Sequence, residues 1–135
     1  MKDKKPMRET GIQEVLEYTE KIINAIYDPI IILDENLKVA LANSSFYQTF
    51  HVVPAETEEQ FIYNLGNGQW NVSELRELLE DILPKTTSFR DFKIERDFPH
   101  IGRRVMLLNA CRIYIETNRT KLIIITIKDI SDLKV

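Results

Sequence analysis

Pro29-Ile30-Ile31-Ile32-Leu33 decides the fold, because this run is apolar throughout and the turn-forming Asp34-Glu35-Asn36 follows it at once. Successive side chains of a strand point to opposite faces of a sheet, so a strand without polar positions needs cover on both faces. The more mixed residues 37–42 after the turn predict a hairpin partner nearer a sheet edge. Residues 29–33 should therefore form a central strand.

The last apolar run of the chain has the same two-sided character. Its side chains alternate between two apolar sets, which are Ile123, Ile125 and Ile127 on one face and Leu122, Ile124 and Ile130 on the other. This pattern predicts a second central strand over residues 120–130. Further strands are predicted at 88–98, where one face is charged, and at 103–116. The chain thus has two predicted strands before a helical segment and three after it. These five strands form one antiparallel sheet only if the first and the last strand pair in its middle.

An amphipathic helix is predicted over residues 11–28. Its apolar stripe recurs at alternating spacings of four and three residues and consists of Ile12, Leu16, Thr19, Ile23 and Ile26. The helix should stop before Pro29, since proline disfavours helical geometry in the preceding residue. Residues 1–10 are expected to be a flexible basic lead-in. If other helices cover one face of the sheet, this helix is left to cover the other.

Short helices are predicted between the second and third strands. Their start signals are a capping residue, Asn43, and two capping-box spacings, Thr57 with Gln60 and Asn71 with Glu74. The first helix should span residues 44–50. The last should span residues 72–83, because Pro84 ends it.

Composition limits the partners and the location of the chain. Its 135 residues are 44% hydrophobic and 29% charged, as expected of one water-soluble domain with a packed core. The formal net charge of −3 argues against nucleic acid, which requires a clustered excess of Lys and Arg. The apolar runs are far shorter than the roughly 20 residues of a membrane-spanning helix. No secretory signal follows the charged start, so a cytoplasmic domain without direct membrane contact is expected.

Three motifs occur in a fixed order along this pattern. They are Asp28-Pro29-Ile30-Ile31-Ile32-Leu33-Asp34, the step Ala42-Asn43-Ser44-Ser45-Phe46, and the closing triplet Asp129-Ile130-Ser131. In this order and spacing the chain resembles a PAS domain from about residue 18 to residue 131. Gly66-Asn67-Gly68-Gln69-Trp70 and Arg103-Arg104-Val105-Met106-Leu107-Leu108-Asn109-Ala110 are similar to the PAS subgroup associated with sensor histidine kinases and chemotaxis-type methyltransferases.

The resemblance implies an α+β fold, with a five-stranded antiparallel sheet, short clamp helices on one face and the N-terminal helix on the other. The PAS core would cover residues 29–131, and residues 132–135 would start a C-terminal linker helix. Such a domain is a sensory input module with no catalytic residues of its own. It would pass a signal through Asp129, Ile130 and Ser131 to an output domain of the same chain, with a two-component histidine kinase as the leading expectation. A homodimer is expected through the apolar stripe of the N-terminal helix.

A small organic ligand would lie between the clamp helices and the sheet. Alternation along residues 103–116 predicts that Leu107, Asn109 and Cys111 face this space. A buried amide needs partners, so Asn109 either contacts a ligand or bonds a neighbouring backbone group. The other pocket candidates are apolar and could equally fill the core: Phe46, Phe50, Phe61, Leu75, Leu79, Phe92, Ile125 and Ile127. If they fill it, the alternative is a ligand-free dimerisation or protein-interaction module.

No residue pattern nominates a cofactor, a metal or a catalytic group. His51 and His100 lack ligand spacing, and the predicted helix at 72–83 has no histidine of the kind that haem-binding relatives use. Cys111 lies on a strand, unlike the helical cysteine of flavin-binding relatives, and is expected to be a small buried apolar group. Ile127 stands where those relatives have a flavin-contacting glutamine. The cofactor is therefore unknown, with haem and flavin disfavoured.

Overall fold

The computed structural model describes residues 7–66, 68–85, 87–116 and 120–132, with the backbone alone for 7–13, 81 and 82. Its elements follow the predicted order of helix, hairpin, helices and three strands. The helices are α1 (Met7–Ile23), α2 (Ser44–Phe50), α3 (Pro54–Thr57), a 3₁₀ turn (Ile62–Asn64), α4 (Ser73–Glu77) and a π-helix (Leu78–Ile82). The strands are β1 (Ile30–Leu33), β2 (Val39–Ala42), β3 (Ser88–Phe98), β4 (Gly102–Ile115) and β5 (Thr120–Asp129).

The strands form an antiparallel sheet in the order β2-β1-β5-β4-β3. The predicted pairing of the first and last strands is confirmed, with Ile31 opposite Ile125. Every position of β1 is buried, as a strand covered on both faces requires. The Asp34 carboxylate closes the β1–β2 turn by accepting from the backbone N–H groups of Asn36 and Lys38, at 2.8 and 3.0 Å.

Alternate strand positions build two apolar layers, one on each face of the sheet. The larger layer, called the inner core, lies under the helices between β2 and β3; its buried members include Ile31, Leu33, Phe46, Phe50, Trp70, Leu75, Leu79, Met106, Leu108, Ile125 and Ile127. The smaller layer, called the outer core, consists of Ile23, Ile30, Ile32, Leu41 and Leu122, with Leu16 packed against it. The predicted division of β5 between two apolar faces is therefore confirmed.

The N-terminal helix differs from its predicted bounds at both ends. It begins at Met7, within the residues expected to form a flexible lead-in, and it ends at Ile23 rather than at residue 28. The Asn43 side-chain amide donates to the carbonyls of Ile23 and Asp28, at 2.8 and 3.0 Å. Because these carbonyls are bound by a residue outside the helix, the chain leaves helical geometry well before Pro29.

None of the helices in the described ranges combines the length and the apolar content that crossing a bilayer requires.

The prediction for α2 is confirmed, whereas the predicted helix start at Thr57 is wrong. α2 spans Ser44–Phe50, and the Asn43 Oδ1 accepts from the backbone N–H of Phe46. Thr57 is the last residue of α3, buried with its hydroxyl donating to the Val53 carbonyl at 3.1 Å. The next residue, Glu58, has extended backbone geometry, so no helix begins at Thr57 for its side chain to cap.

The predicted helix at 72–83 is one α-helical segment that continues as a π-helix. The Asn71 side chain does not cap it, because its Oδ1 accepts from the Arg76 guanidinium at 2.7 Å. The N–H of Leu83 bonds to the carbonyl of Leu78 at 2.8 Å, which is the i to i+5 spacing of a π-turn. Pro84 follows directly and ends the segment.

Candidate functional site

Asn43 connects the end of α1 to the start of the sheet and of α2. It is fully buried, and its Oδ1 accepts from the backbone N–H groups of Ile30 (2.9 Å) and Phe46 (3.0 Å). Its Nδ2 donates to three backbone carbonyls at and after the end of α1, those of Ile23, Ile26 and Asp28. The sequence predicted only the cap of α2, because the contacts with α1 cross long sequence separations.

Four aromatic rings form the centre of the inner core. The ring of Phe50 lies 4.8 Å from Phe46 and 5.6 Å from both Trp70 and Phe98, and Trp70 lies 5.2 Å from Phe98. Rings at these distances and tilts pack favourably beyond the area they bury. Trp70 and Phe98 were not among the predicted pocket residues, although their size in a chain with so few aromatics was a usable signal.

A cleft of about 330 Å³ opens beside this aromatic cluster and is called the mouth cleft. Phe46, Phe50 and Trp70 form its inner wall, and the turn between β3 and β4 contributes Pro99 and His100 to its rim. The rest of the lining comes from α3 and from the segment before α4: Val52, Glu56, Thr57, Asn64, Leu65, Gly66 and Gln69. The mouth cleft thus offers an aromatic wall and a polar rim to a small molecule.

Leu107, Asn109 and Cys111 do not face this space, so their predicted placement is wrong. Met106, Leu108 and Ala110 are the β4 residues of the inner core. Pairing with β5 sets this register, since Leu108 lies opposite the inner-core residue Ile127. Alternation was predicted correctly, but an error of one position exchanges the two faces of a strand.

On the outer face, Asn109 has a hydrogen-bond partner and Cys111 is exposed to solvent. The Asn109 Oδ1 accepts from the backbone N–H of Asp91 at 2.9 Å, where Asp91 has a positive φ of 61° and β3 has a bulge. This is the backbone bond that the sequence left open as an alternative to ligand contact. Cys111, which lies opposite Ile124 of β5, is exposed rather than buried as predicted.

The remaining pocket candidates divide between the inner core and the surface. Phe46, Phe50, Leu75, Leu79, Ile125 and Ile127 are buried in the inner core, and Phe92 packs against it. Phe61 is 42% exposed, with the Lys38 ammonium 5.5 Å from its ring centroid, so it is wrongly placed as a core pocket residue.

The apolar stripe of α1 turns largely toward its own sheet. Ile23 is buried in the outer core and Leu16 packs against it, whereas the Thr19 hydroxyl donates to the Val15 carbonyl. Ile26 is exposed, and the side chain of Ile12 lies outside the described residues. A separate set of large side chains is exposed on and after α1: Tyr18, Ile22, Ile26 and Tyr27.

The closing triplet is held to the start of β4 by a compact group of bonds. The Ile130 N–H donates to the Val105 carbonyl at 2.9 Å, and the Val105 N–H donates to the Ser131 hydroxyl at 2.8 Å. The Asp129 carboxylate accepts from the Ser131 N–H at 2.9 Å and lies 3.4 Å from the Arg104 guanidinium. The end of β5 is therefore fixed to β4 and not to a helix.

Two phenols have pKa values raised by their surroundings. Burial, followed by the charges of Glu58 and Glu20, raises the pKa of Tyr47 from 10.0 to about 12, and its hydroxyl has no hydrogen-bond partner among the described residues. Burial and a 2.7 Å bond to the Glu80 carboxylate also raise the pKa of Tyr63. Neither phenol lines the mouth cleft.

The described residues contain no group of three or more His, Cys, Asp and Glu side chains that could hold a metal ion. His51 and His100 stack with ring centroids 6.4 Å apart, which the sequence did not predict, but no third ligand joins them there.

Comparison with known proteins agrees with this geometry. Residues 17–130 match the PAS family, described as the PAS fold. The chain belongs to the PAS family, whose members are sensory and signalling modules. A search of curated proteins gave no match.

Solved structures with the same fold have low sequence identity to the chain. The PAS domain of Bordetella pertussis BvgS is 22% identical, with 89% of each chain covered and a TM-score of 0.64. A Rhodobacter sphaeroides LOV protein is 14% identical, with 90% of this chain and 69% of that chain covered and a TM-score of 0.73. A PAS domain from a two-component sensor histidine kinase is 6% identical, with 87% and 97% covered and a TM-score of 0.64. At these identities the likeness concerns the fold alone.

Proposed function

We propose that the chain is a cytoplasmic sensory input domain that binds a small organic ligand in the mouth cleft and passes the signal through its closing triplet. The observation that carries the proposal is the mouth cleft itself, since it reaches an aromatic wall of Phe46, Phe50 and Trp70 behind a polar rim. A cleft of a few hundred Å³ with this division of apolar and polar surface suits a small organic molecule. A cytoplasmic location is supported by the single cysteine, which cannot form an intramolecular disulfide.

A short run of contacts connects the rim of the mouth cleft with the exit of the domain. His100 lines the rim, and the carbonyl of the next residue, Ile101, accepts from the Arg104 Nε at 3.2 Å. Arg104 in turn pairs with Asp129, whose carboxylate holds the N–H of Ser131. A ligand that shifts the β3–β4 turn would thus act on Arg104 and bias the position of the exit segment.

The proposed output is a kinase of the two-component type in the same chain. Support comes from the fold that the chain shares with the PAS domain of a sensor histidine kinase. The test is to measure autophosphorylation of the parent protein with and without ligand. The Asp129-Ile130-Ser131 segment would deliver the signal to it.

The proposed homodimer uses an exposed surface on and just after α1 that shares only Ile26 with the predicted stripe. Tyr18, Ile22 and Ile26 recur at a spacing of four and are exposed, whereas Leu16 and Ile23 already pack in the outer core.

Sedimentation velocity on Ile22→Asp should show a shift from dimer to monomer, while Lys21→Asp on the neighbouring exposed position should leave the dimer intact. Two identical sedimentation profiles would refute this surface.

The alternative function is a ligand-free interaction module. It is favoured by the dense packing of the aromatic cluster, because Trp70 is only 1% exposed and fills the space between Phe50 and Phe98. Under this alternative, partner binding at the surface would replace ligand binding.

Trp70 makes the two functions distinguishable, since it is the only tryptophan of the chain and lines the mouth cleft. The purified protein is screened against small organic molecules by thermal shift, and hits are titrated by Trp70 fluorescence and native mass spectrometry. Val52→Phe, which narrows the cleft, should abolish the response. Val53→Phe is the matched control, because Val53 is 52% exposed and does not line the cleft. Equal responses in both variants, or no added mass and no hit, would reject the ligand-binding function.

A further inference from the structure

A second cleft lies at the far end of β4 from the mouth cleft and is called the hairpin cleft. It is an open space of about 1040 Å³ between the π-helix, the β1–β2 turn and the paired ends of β4 and β5. Its apolar lining includes Leu37, Leu79 and Ile123, all three in or packed against the inner core. Among them Leu37 and Ile123 are half-buried and reach the surface of the cleft, whereas Leu79 is only 2% exposed.

One wall of the hairpin cleft carries two cations on either side of an aromatic ring. Tyr114 lies directly opposite Lys121, and Arg112 lies opposite Ile123, so these four residues share one face of the sheet. The face is the helix side, because the Arg112 Nη1 donates to the Pro84 carbonyl at 2.7 Å. Arg112 and Lys121 are diagonal neighbours on adjacent strands. Their long side chains can therefore reach the same bound group.

Neither cation is neutralised by a carboxylate among the residues that the structure describes. The ion pairs there involve Arg76, Arg103 and Arg104, and the guanidinium of Arg112 is bound to a neutral carbonyl. A guanidinium has five N–H donors, so Arg112 keeps capacity for an anion beyond its bond to Pro84.

The acidic side chains of the cleft do not cancel this charge. Glu80 lines the cleft, but its carboxylate already accepts from the Tyr63 hydroxyl at 2.7 Å and lies 3.5 Å from the Arg76 guanidinium. Glu35 lies across the cleft, in the β1–β2 turn. The cationic wall is therefore complementary to an anion that enters beside the apolar floor.

We propose that the hairpin cleft binds a small amphipathic carboxylate. Its apolar body would cover Leu37 and Ile123, and its carboxylate would lie between Arg112 and Lys121 against the ring of Tyr114. A molecule with both parts satisfies the apolar floor and the cationic wall together, which neither a hydrocarbon nor a free anion does. This site is separate from the mouth cleft and does not depend on a ligand there.

The proposal is tested on the full 135-residue chain with three probes of eight carbons each, namely octanoate, octylamine and 1-octanol. Binding is followed by amide NMR shifts. Octanoate should shift amides at the ends of β4 and β5 and bind more tightly than the other two, and its affinity should fall with added salt. Octylamine or octanol binding as tightly as octanoate would overturn the proposal, because the cationic wall would then contribute nothing.

Variants locate the site. Lys121→Met should weaken octanoate binding about two- to fivefold, as loss of an exposed charge partner does. Lys128→Met is the matched control, since Lys128 is exposed on β5 and lies opposite the outer-face residue Leu107. The proposal is wrong if the two variants bind octanoate alike. It is also wrong if octanoate does not bind and Lys121→Met changes the oligomeric state, because the cleft would then be the binding surface of a second copy of the chain.

The same titration separates this site from the proposed function. Trp70 lines the mouth cleft and is absent from the lining of the hairpin cleft, so octanoate should leave its fluorescence unchanged. A Trp70 response without shifts at Arg112 and Tyr114 would overturn the hairpin site and leave the mouth-cleft function standing.

Discussion

The Arg104 guanidinium lies 3.4 Å from the Asp129 carboxylate, and this pair ties the start of β4 to the end of β5. Both side chains are about one-third exposed, so the pair itself adds at most about 1 kcal/mol to stability. Its importance is positional, because Asp129 also accepts from the N–H of Ser131 at the exit of the domain.

We predict that Arg104→Met loosens the exit segment more than it destabilises the fold. The free energy of unfolding should fall by about 1 kcal/mol or less. Amide hydrogen exchange at Ile130 and Ser131 should rise by up to about fivefold, because local opening no longer breaks an ion pair worth at most about 1 kcal/mol. Arg103→Met is the control, since the Arg103 pairs with Glu95 and Asp97 are exposed and lie away from the exit. Equal exchange in both variants would refute the positional role.

Asn43→Ala should destabilise the domain by about 3 kcal/mol. The change leaves the buried N–H groups of Ile30 and Phe46 without their acceptor and the carbonyls after α1 without their donor, and each unsatisfied group costs about 1–3 kcal/mol unless water reaches it. Asn24→Ala removes an exposed side chain that accepts from the N–H of Ser44, and should cost under about 1 kcal/mol. Urea unfolding of both variants decides the matter, and similar costs would contradict the central role of Asn43.

Tyr47→Phe and Tyr63→Phe should have opposite effects at neutral pH. The Tyr47 hydroxyl is buried without a hydrogen-bond partner in the part of the chain that the structure describes, so its removal should be neutral or should stabilise by up to about 1 kcal/mol. Tyr63→Phe loses the bond to Glu80 and should cost about 1–2 kcal/mol. Thermal unfolding at pH 7 measures both, and a loss in Tyr47→Phe as large as in Tyr63→Phe would show that Tyr47 has a partner after all.

The raised pKa of Tyr47 also predicts a dependence on alkaline pH. The folded state binds the phenol proton more tightly than the unfolded chain does, because the folded pKa is about 12 and the ordinary pKa of a tyrosine is 10.0. The contribution of Tyr47 to stability is therefore complete below pH 10 and is lost as the pH rises from 10 to about 12. Over this interval the wild-type protein should lose more stability than Tyr47→Phe, measured by denaturant unfolding at several pH values. Parallel losses would mean that the Tyr47 pKa is the same in both states.

The corrected register of β4 predicts a difference between two adjacent leucines. Leu108→Ala should cost about 2–5 kcal/mol, because Leu108 is fully buried in the inner core. Leu107→Ala, on the outer face opposite Lys128, should cost under about 1.5 kcal/mol. Denaturant unfolding of the two variants provides the comparison, and the reverse order would restore the original prediction for Leu107 and Asn109.

Much of the fold was predictable because its signals are local. The run at Ile30–Leu33, the alternation in β5 and the capping residue Asn43 each reflect burial or hydrogen bonding within a few residues. The candidate site was less predictable. Its aromatic wall joins Phe50, Trp70 and Phe98 from three separate parts of the chain, and no local pattern records which aromatic side chains will meet.

The sequence by itself determined which residues form strands and helices, that β1 and β5 are central, and that two apolar layers are needed, because periodicity and burial are properties of each segment. Only the tertiary structure decided which set of β4 residues faces the inner core, where α1 ends and which part of its surface is free, and where the clefts open. The physical reason is that alternation separates the two faces of a strand without showing which face is buried in the inner core. Pairing with β5 decides this for β4, and the buried hydrogen bonds of Asn43 decide where α1 ends, because both join residues far apart in the chain.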